Sequence, residues 1–210
     1  MTPHGLLGSA THDVVVASHR RSGTHLLLEY LTRTFGLNAG KTHAFHDPET
    51  SVDAPVVYIA RDPIDVLWST YRWFVHGRSA NTPLARLLAD LTFAEYLHGK
   101  GGPRAGFAAH RSIEYDSFLY DRGQLYQPIR FWADHVRSYL ADRDKLLLIR
   151  YELLVADPRT QMDRVAAHLG LVVPDGFIPI ARDEPVGWAP SPPTERPTLC
   201  LLYTSPSPRD

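Results

Sequence analysis

The residues with the clearest chemical potential lie near the N-terminus, between a short apolar run and the start of an amphipathic pattern. Arg20 and Arg21 bring two guanidinium groups, and Ser22 and Thr24 bring two hydroxyl groups. Gly23 allows a tight turn, so that a helix can begin at once with its free N–H groups and its positive dipole end facing the same point. Such a point binds an anion, and phosphate or sulfate suits guanidinium groups best. The whole cluster consists of His19, Arg20, Arg21, Ser22, Gly23, Thr24 and His25.

The same stretch admits a simpler interpretation, in which an ordinary strand-turn-helix connection carries solvated arginines. It is not a Walker A loop, which needs G-x-x-x-x-G-K-[ST], because Gly23 is followed by Thr24 and His25. Ser22 occupies the position predicted for the helix N-cap, where its hydroxyl would accept a hydrogen bond from the first turn. On this stretch alone, the anion site and the plain connection both stay open.

A second group of polar residues follows an apolar run at residues 56–60. Arg61 comes first, and Asp62 at the N-cap with Pro63 at the first helical position predicts a helix start. The buried stripe predicted for this helix consists of Ile64, Leu67, Trp68, Tyr71 and Val75. Its other face carries Asp65, Ser69 and Arg72 at helical spacing. A second cationic loop therefore precedes a second helix.

Short apolar runs are the elements that must position these polar groups, and each is followed by a helical pattern. They are residues 14–17, 56–60 and 145–151. Repeated strand-helix units predict an α/β fold of three layers, with a central, mostly parallel sheet flanked by helices. Ligands of such sheets bind beyond the carboxyl ends of the strands. We therefore expect residues 20–24, 61–62 and 150–152 to share one crevice, although they are far apart in sequence.

The other segments carry weaker signals. Residues 36–53 are polar and contain glycine and proline, so we interpret them mostly as loop. A helical pattern covers residues 84–91. Thr92 and Glu95 form the pattern of a capping box, which predicts a short helix that ends at Gly99. Residues 100–103 are predicted to form a loop that could cover a substrate. One later helix has its apolar face at Ile129, Trp132, Val136, Tyr139 and Leu140. The last begins at Asp157 and Pro158, turns Met162, Val165, Ala166 and Leu169 inward, and ends at Gly170.

Composition limits the classes of function. The 210 residues suffice for one packed domain, with 44% hydrophobic residues and a net charge of -1. No global field therefore attracts nucleic acid or an anionic membrane, and any anion site must be local. We find no signal peptide, no membrane-spanning run and no Cys/His cluster at zinc spacing. The single cysteine, Cys200, excludes an internal disulfide and fits a cytoplasmic location.

Four segments, in order, resemble motifs of the sulfotransferases that use 3′-phosphoadenosine 5′-phosphosulfate (PAPS). Residues 21–24 resemble the 5′-phosphosulfate loop P-[KR]-S-G-T, and residues 41–43 resemble the K-T-H segment that carries the catalytic histidine. Residues 58–71 are similar to the 3′-phosphate motif, with its spacing from arginine to serine kept. Residues 151–158 resemble the Y-E-D-L…P segment. The ordered set covers residues 14–171, and the resemblance implies a P-loop-NTPase-like sulfotransferase fold.

The resemblance also implies which residues bind the cofactor. They are Arg20, Arg21, Ser22, Gly23, Thr24, His25, Arg61, Ser69 and Tyr151. Those of the first loop would hold the 5′-phosphosulfate of PAPS. Arg61 and Ser69 would hold the 3′-phosphate, and Tyr151 would lie near the adenine.

The catalytic roles follow from the same resemblance. His43 would be the general base that takes a proton from the acceptor, a task that suits an imidazole. His46 lies in the same loop, and either histidine could instead be a solvated residue. Arg21 would stabilise charge on the leaving adenosine 3′,5′-bisphosphate, without acting as an acid, and Lys41 would orient the sulfuryl group. The scheme requires no metal.

The end of the chain departs from the family. The segment R-K-G-x-x-G-D-W, which covers the 3′-phosphate in the family, is not found, and a Pro-rich stretch follows Trp188. Residues 198–210, TLCLLYTSPSPRD, resemble translated sequencing-adapter DNA; the alternative is a natural disordered tail. We therefore expect a single sulfotransferase-like domain at residues 1–188, resembling a C-terminally truncated member of the family. We expect an unstructured Pro/Ser-rich tail at residues 189–210.

Three functions stay open at this point. The first is a PAPS-dependent sulfotransferase acting on a hydroxyl or amine of a small-molecule, lipid or glycan acceptor, with a homodimer as an open alternative and residues 79–123 setting acceptor choice. The second is a kinase on a related fold, disfavoured because Walker A is missing and the third strand offers no acidic residue for Mg²⁺. The third is a non-catalytic or inactive nucleotide-binding fragment.

Overall fold

The computed structural model describes residues 12–46, 54–76, 92–97, 120–121, 124–125 and 128–180. The strands are β1 (Val14–Ala17), β2 (Ala39–Thr42), β3 (Val56–Ala60), β4 (Tyr120–Asp121), β5 (Gln124–Leu125) and β6 (Leu146–Arg150). The helices are α1 (Thr24–Phe35), α2 (Pro63–His76), α3 (Phe93–Leu97), α4 (Pro128–Leu140), α5 (Tyr151–Ala156) and α6 (Pro158–Leu169). A 3₁₀ turn at Arg143–Lys145 leads into β6.

Four parallel strands form the main sheet in the order β2-β1-β3-β6, and β4 pairs with β5 in a separate antiparallel ribbon. The apolar run of β1 is buried along its whole length because it lies between two neighbours and under helices on both faces. The predicted α/β architecture with a parallel sheet is confirmed. All four carboxyl ends therefore lie on one edge of the sheet.

The prediction that residues 36–53 are mostly loop is wrong in part, because β2 lies within them. This strand is short and polar, so it shows neither the apolar run nor the alternation by which strands are recognised. It exists because β1 pairs with it over four positions, from Val14 with Ala39 to Ala17 with Thr42. Tertiary pairing has overridden weak local propensity.

Two apolar layers cover the two faces of the sheet. On one face, Leu27 and Leu31 of α1 and Met162 and Val165 of α6 pack with residues of β1, β3 and β6, including Ile149. On the other face, Tyr139 of α4 packs with Ala17, Tyr58 and Leu146. The three-layer prediction is confirmed, and α4 is the helix that lies against the face that carries Tyr58.

Several helix ends agree with the sequence prediction. Asp62 caps α2 through Oδ1, which accepts hydrogen bonds from the N–H groups of Ile64 (2.9 Å) and Asp65 (3.1 Å). The predicted capping box of Thr92 and Glu95 forms at the start of α3. The capping side chain of Asp157 starts α6, and a left-handed Gly170 ends it.

Other local predictions need correction. Gly23, and not Ser22, occupies the N-cap position of α1. The third predicted strand ends at Arg150, because Tyr151 already begins α5. The buried stripe predicted for α2 is wrong at three positions. Val66, which it omits, is buried, whereas Ile64 and Trp68, which it includes, are only half-buried.

The apolar face predicted for α4 is also wrong in part. Leu140 is exposed, and the buried residues are Pro128, Phe131, His135 and Tyr139. A pattern of apolar residues misses this face because one of its buried members is a histidine. The predicted helix at residues 84–91, the loop at residues 100–103, Gly99, and the tail at residues 189–210 lie outside the described residues. Among the helices that are described, none is both long and apolar enough to cross a membrane.

Candidate functional site

The loop between β1 and α1 has an unusual backbone. Arg21 and Gly23 both lie in the left-handed region, with φ of 66° and 99°. A non-glycine residue such as Arg21 rarely adopts this conformation, which stores strain of about 1–2 kcal/mol and clusters at functional sites. No side chain caps α1, so the N–H groups of its first turn face the loop with the positive end of the helix dipole. This arrangement is typical of an anion-binding helix start.

Gly23 is required by close packing as well as by its φ angle. A Cβ atom built on Gly23 would lie 2.8 Å from Cε2 of Tyr151, closer than real Cβ contacts allow. The ring of Tyr151 therefore lies directly against the loop. Since Tyr151 follows β6 at once, this contact brings the carboxyl ends of β1 and β6 together.

Two arginines link the loop to the end of β3 and to α2. Nε of Arg21 donates a hydrogen bond to Oγ of Ser69 (3.0 Å), and Nη1 of Arg61 donates to the carbonyl oxygen of Arg21 (3.4 Å). The guanidinium of Arg61 also lies over the ring of Tyr151, 4.4 Å from its centre, and 3.8 Å from Oδ2 of Asp65. The three segments that we expect to share one crevice are therefore in contact with one another.

The two guanidinium groups also influence each other electrically. Burial, and then the neighbouring Arg61, lower the pKa of Arg21 from its ordinary value. Arginine stays protonated even so, because its ordinary pKa is above 12. Two like charges held near one loop gain from any anion placed between them.

Glu152 is a site residue that sequence reasoning did not single out by role. Its Oε1 accepts a hydrogen bond from the backbone N–H of Asp62 (2.8 Å), and its Oε2 lies 3.7 Å from Nε of Arg150. The Glu152 carboxylate thus joins the end of β6 to the start of α2. Its position directly after Tyr151 in a matched motif was the available signal.

Ser22 has a different environment from the one predicted. Its side chain is fully buried, and Oγ has no hydrogen-bond partner within the described part of the chain. Thr24 is also buried, and its Oγ1 shares a hydrogen bond of 2.6 Å with Oγ of Ser18. His25 follows on the exposed side of α1, and Arg20 is half-buried.

His43 lies on the other side of Ser18, just beyond the end of β2. Nδ1 of His43 is 2.9 Å from the carbonyl oxygen of Ser18 and 3.2 Å from its Oγ. A carbonyl oxygen only accepts, so Nδ1 carries the proton and Nε2 of the neutral ring is the atom with a free lone pair. Ser18 therefore connects His43 to Thr24 of the anion loop.

His43 is kept uncharged by its surroundings. Burial is the main reason that the pKa of His43 is lowered to about 4; the hydrogen bond to Ser18 raises it, and the positive charges of Arg20 and Lys41 contribute to lowering it. Lys41 is exposed on β2, two residues before His43. A histidine that is neutral at pH 7 can accept a proton, as a general base must.

Two more histidines lie beside His43. The sequence analysis named His19 in the loop cluster without giving it a role, and it missed His135. His19 and His135 are buried with their ring centres 5.6 Å apart. Burial, and then the neighbouring His135, lower the pKa of His19 to about 3. Burial lowers the pKa of His135 to about 4, against the hydrogen bond to the His43 carbonyl, which raises it. A histidine one turn from Tyr139 on a predicted buried face was the sequence signal for His135.

The structure therefore places the predicted residues in two adjoining groups. Arg21 and Gly23 lie with Arg61, Ser69 and Tyr151, whereas His43 lies across Ser18 from Thr24. Arg20, His25 and Lys41 lie near enough to His43 to influence its charge. Within the described ranges, no three His, Cys, Asp or Glu side chains are grouped so that they could hold a metal ion.

Two solved structures share this fold. The structure of mouse sulfotransferase SULT7A1 complexed with PAP matches with a TM-score of 0.50 at 20% identity, covering 78% of this chain and 59% of the mouse chain. A sulfotransferase from Alicyclobacillus acidocaldarius matches with a TM-score of 0.51 at 18% identity, covering 83% of this chain and 88% of the other. The chain thus spans less than two thirds of the mouse protein. No curated protein sequence matches it.

The family match begins after the loop at residues 20–25 and includes the other candidate site residues. Residues 36–179 match the sulfotransferase domain, and this segment contains Lys41, His43, Arg61, Ser69 and Tyr151. The matched segment is more than half of the 210 residues. This chain belongs to the sulfotransferase domain family.

Proposed function

We propose that this chain transfers the sulfuryl group of PAPS to a hydroxyl or amine acceptor, with His43 as the general base. The proposal rests on one observation. Ser18 joins the strained, positively charged loop at residues 20–25 to a neutral histidine, His43. Guanidinium groups and free helix N–H groups fit phosphate and sulfate, so the donor set suits this co-substrate.

The chain's own residues divide the binding of PAPS between them. The backbone N–H groups at residues 23–25 would hold the 5′-phosphosulfate. The N–H of Ser22 already donates to the carbonyl oxygen of His19 (3.3 Å), which leaves its buried hydroxyl as the donor that this residue could offer. Arg61 and Ser69 would hold the 3′-phosphate. Tyr151 would hold Arg61 in place, because the guanidinium of Arg61 already lies over the Tyr151 ring. Tyr151 would also lie near the adenine.

The transfer step uses the free lone pair of His43. PAPS supplies the sulfuryl group, whose sulfur forms a bond to the acceptor oxygen or nitrogen while its bond to the 5′-phosphate oxygen breaks. Nε2 of His43 takes the acceptor's proton, and Nδ1–H keeps its hydrogen bond to the Ser18 carbonyl, which stabilises the imidazolium that forms. Arg21 and Lys41 would stabilise the charge that develops on the leaving oxygen and on the sulfuryl group.

The acceptor and the setting belong to the same proposal. We infer an acceptor among small molecules, lipids or glycans, and a cytoplasmic location in keeping with one cysteine in the whole sequence. Acceptor choice would depend on residues 79–123, most of which lie outside the described residues.

The first test is calorimetric titration of the full chain with adenosine 3′,5′-bisphosphate, in parallel with ATP. We expect the bisphosphate to bind and ATP to bind more weakly, because only the former carries a 3′-phosphate for Arg61. Transfer of labelled sulfate from PAPS to a panel of acceptors then tests catalysis. Equal binding of both nucleotides, or of neither, would contradict the proposal for this chain.

A further inference from the structure

The loop that carries His43 is held at four points by α4 and the turn that follows it. Nε2 of His135 lies 3.2 Å from the carbonyl oxygen of His43, and the hydroxyl of Tyr139 donates to the carbonyl oxygen of Ala44 (3.0 Å). The other two contacts end on His46: its N–H donates to Oγ of Ser138 (3.1 Å), and its Nε2 donates to Oδ2 of Asp142 (2.7 Å). The three partners within α4, His135, Ser138 and Tyr139, are spaced as neighbours on one helix face, and Asp142 follows in the next turn of the chain.

The donors and acceptors at His135 allow one arrangement. The carbonyl oxygen of His43 only accepts, so Nε2 of His135 carries the proton. Nδ1 of the neutral ring then accepts a hydrogen bond from the hydroxyl of Tyr58 (3.0 Å). A continuous line of hydrogen bonds thus runs from a core strand, through α4, to the backbone of His43.

Burying the polar ring of His135 in this position costs free energy unless both ring nitrogens are hydrogen-bonded. Its side chain and that of Tyr58 are both 0% exposed, in a layer where an apolar side chain would need no hydrogen bonds. The stacking of Tyr58 on Tyr139, with ring centres 4.4 Å apart, fixes the second contact to the same strand. Buried polar networks of this kind, when fully satisfied, specify one geometry.

We propose that α4 is the element that positions the general base, with His135 and Tyr139 as positioning residues for His43. This inference rests on the proposed function, since it concerns the base of that reaction. His43 is held from two sides: its ring by Ser18, and its backbone and that of Ala44 by α4. Together these contacts aim Nε2 at one place, which a base needs within fractions of an ångström.

The test compares the variants His135→Leu and Tyr139→Phe with the matched control Tyr30→Phe. The hydroxyl of Tyr30 accepts from the N–H of Ile180 on the opposite face of the sheet, far from the His43 loop in the fold. We expect kcat to fall about 10- to 100-fold in His135→Leu, as for partners that orient catalytic ligands. A fall of about fivefold is expected in Tyr139→Phe, for one lost hydrogen bond. The affinity for adenosine 3′,5′-bisphosphate should stay within about twofold of wild type in both variants.

Two further variants make the result decisive. His135→Gln can again donate to the His43 carbonyl, so it should regain most of kcat, which a purely packing role would not produce. His43→Ala in the same assay separates the two proposals: retained transfer there removes the base and the proposed mechanism together. If His43→Ala is inactive while His135→Leu and Tyr139→Phe match Tyr30→Phe, the positioning proposal alone is overturned.

A spectroscopic readout keeps the proposal testable without catalysis. Nitrogen NMR of histidine-labelled protein reports which ring nitrogen carries the proton. We expect His43 to hold its proton on Nδ1 in wild type and in His135→Gln. In Tyr139→Phe, which keeps the core packing, the ring-nitrogen resonances of His43 should shift because the loop is no longer held at Ala44. Ring-nitrogen resonances of His43 that are unchanged in Tyr139→Phe would overturn the inference.

Discussion

Two regions at the carboxyl edge of the same sheet handle charge in opposite ways. The cationic loop, defined as residues 20–25 with Arg61, carries permanent positive charge on half-buried arginines. The histidine cluster, defined as His19, His43 and His135, carries no charge at pH 7 because its pKa values are lowered to about 3 to 4. The first kind of group holds an anion, and the second kind can receive a proton.

The two regions lie close enough for the charge of one to influence the pKa values of the other. Arg20 belongs to the cationic loop, and its charge helps to lower the pKa values of both His19 and His43. A residue of the cationic loop therefore adds to the effect of burial, which is the main reason that these histidines are uncharged. Permanently charged arginines and uncharged histidines therefore lie side by side, because the cationic loop is next to the histidine cluster.

The sharpest way to separate the regions is to remove the base. His43→Ala should reduce sulfate transfer by about 10²- to 10⁴-fold, the usual contribution of general-base catalysis. Binding of adenosine 3′,5′-bisphosphate should remain within about twofold, because the cationic loop is intact. Steady-state kinetics and calorimetry measure both quantities.

The neighbouring histidine supplies the control for that variant. His46→Ala keeps the ring of His43 and removes only one attachment of its loop, so most of the transfer activity should remain. If instead His46→Ala is inactive and His43→Ala is active, the two assignments must be exchanged.

The next largest effect should come from the cationic loop. Arg61→Ala should weaken bisphosphate binding by about 10- to 100-fold, since hydrogen bonds to a charged group contribute about 1.5–3 kcal/mol. Arg33→Ala removes an equally charged but exposed arginine, paired with Glu29 on α1, and should leave the affinity unchanged. Equal losses in both variants would mean that net charge, rather than the site, governs binding.

A smaller effect should follow from changing the loop backbone. Gly23→Ala places a Cβ against the ring of Tyr151 and strains φ, so bisphosphate affinity should fall about 10-fold, with about 1–2 kcal/mol of lost stability from the strain. Gly36→Ala has the same kind of φ (67°) but open space around it, so it should lose stability and keep its affinity. Thermal unfolding and calorimetry distinguish the two glycines.

The histidine cluster should appear in the pH dependence of stability. A histidine whose pKa is about 4 when folded and about 6.5 when unfolded binds its proton only in the unfolded chain between these values. The free energy of unfolding should therefore be unaffected above pH 6.5 and fall as the pH decreases, by about 2 kcal/mol at pH 5 for His135 alone.

The comparison variant for this measurement is His135→Gln, in which the titrating group is absent. Its stability should decline less steeply between pH 6.5 and pH 4 than that of wild type, as measured by denaturant unfolding at several pH values. Parallel curves for the two proteins would show that His135 ionises freely in the folded state.

The amino-acid sequence alone determined the fold class and the composition of the cationic loop. Apolar runs and helix caps are local features: the Asp62 cap and the β1 run depend on side chains within a few residues. Such features are legible because their physics is complete over one turn or one strand. The loop residues were identified for the same reason, together with the order of the motifs.

Only the tertiary structure decided the partners of those residues. The bond from Arg21 to Ser69 spans 48 positions, and His135 meets Tyr58 and His43 at separations of 77 and 92 positions. No local pattern marks β2 as a strand, and helical spacing could place His135 on a buried face without showing its partners. Both depend on groups that approach only after the sheet has assembled. The sequence thus specified which charges and rings exist, and folding decided which remain charged and where each one donates or accepts.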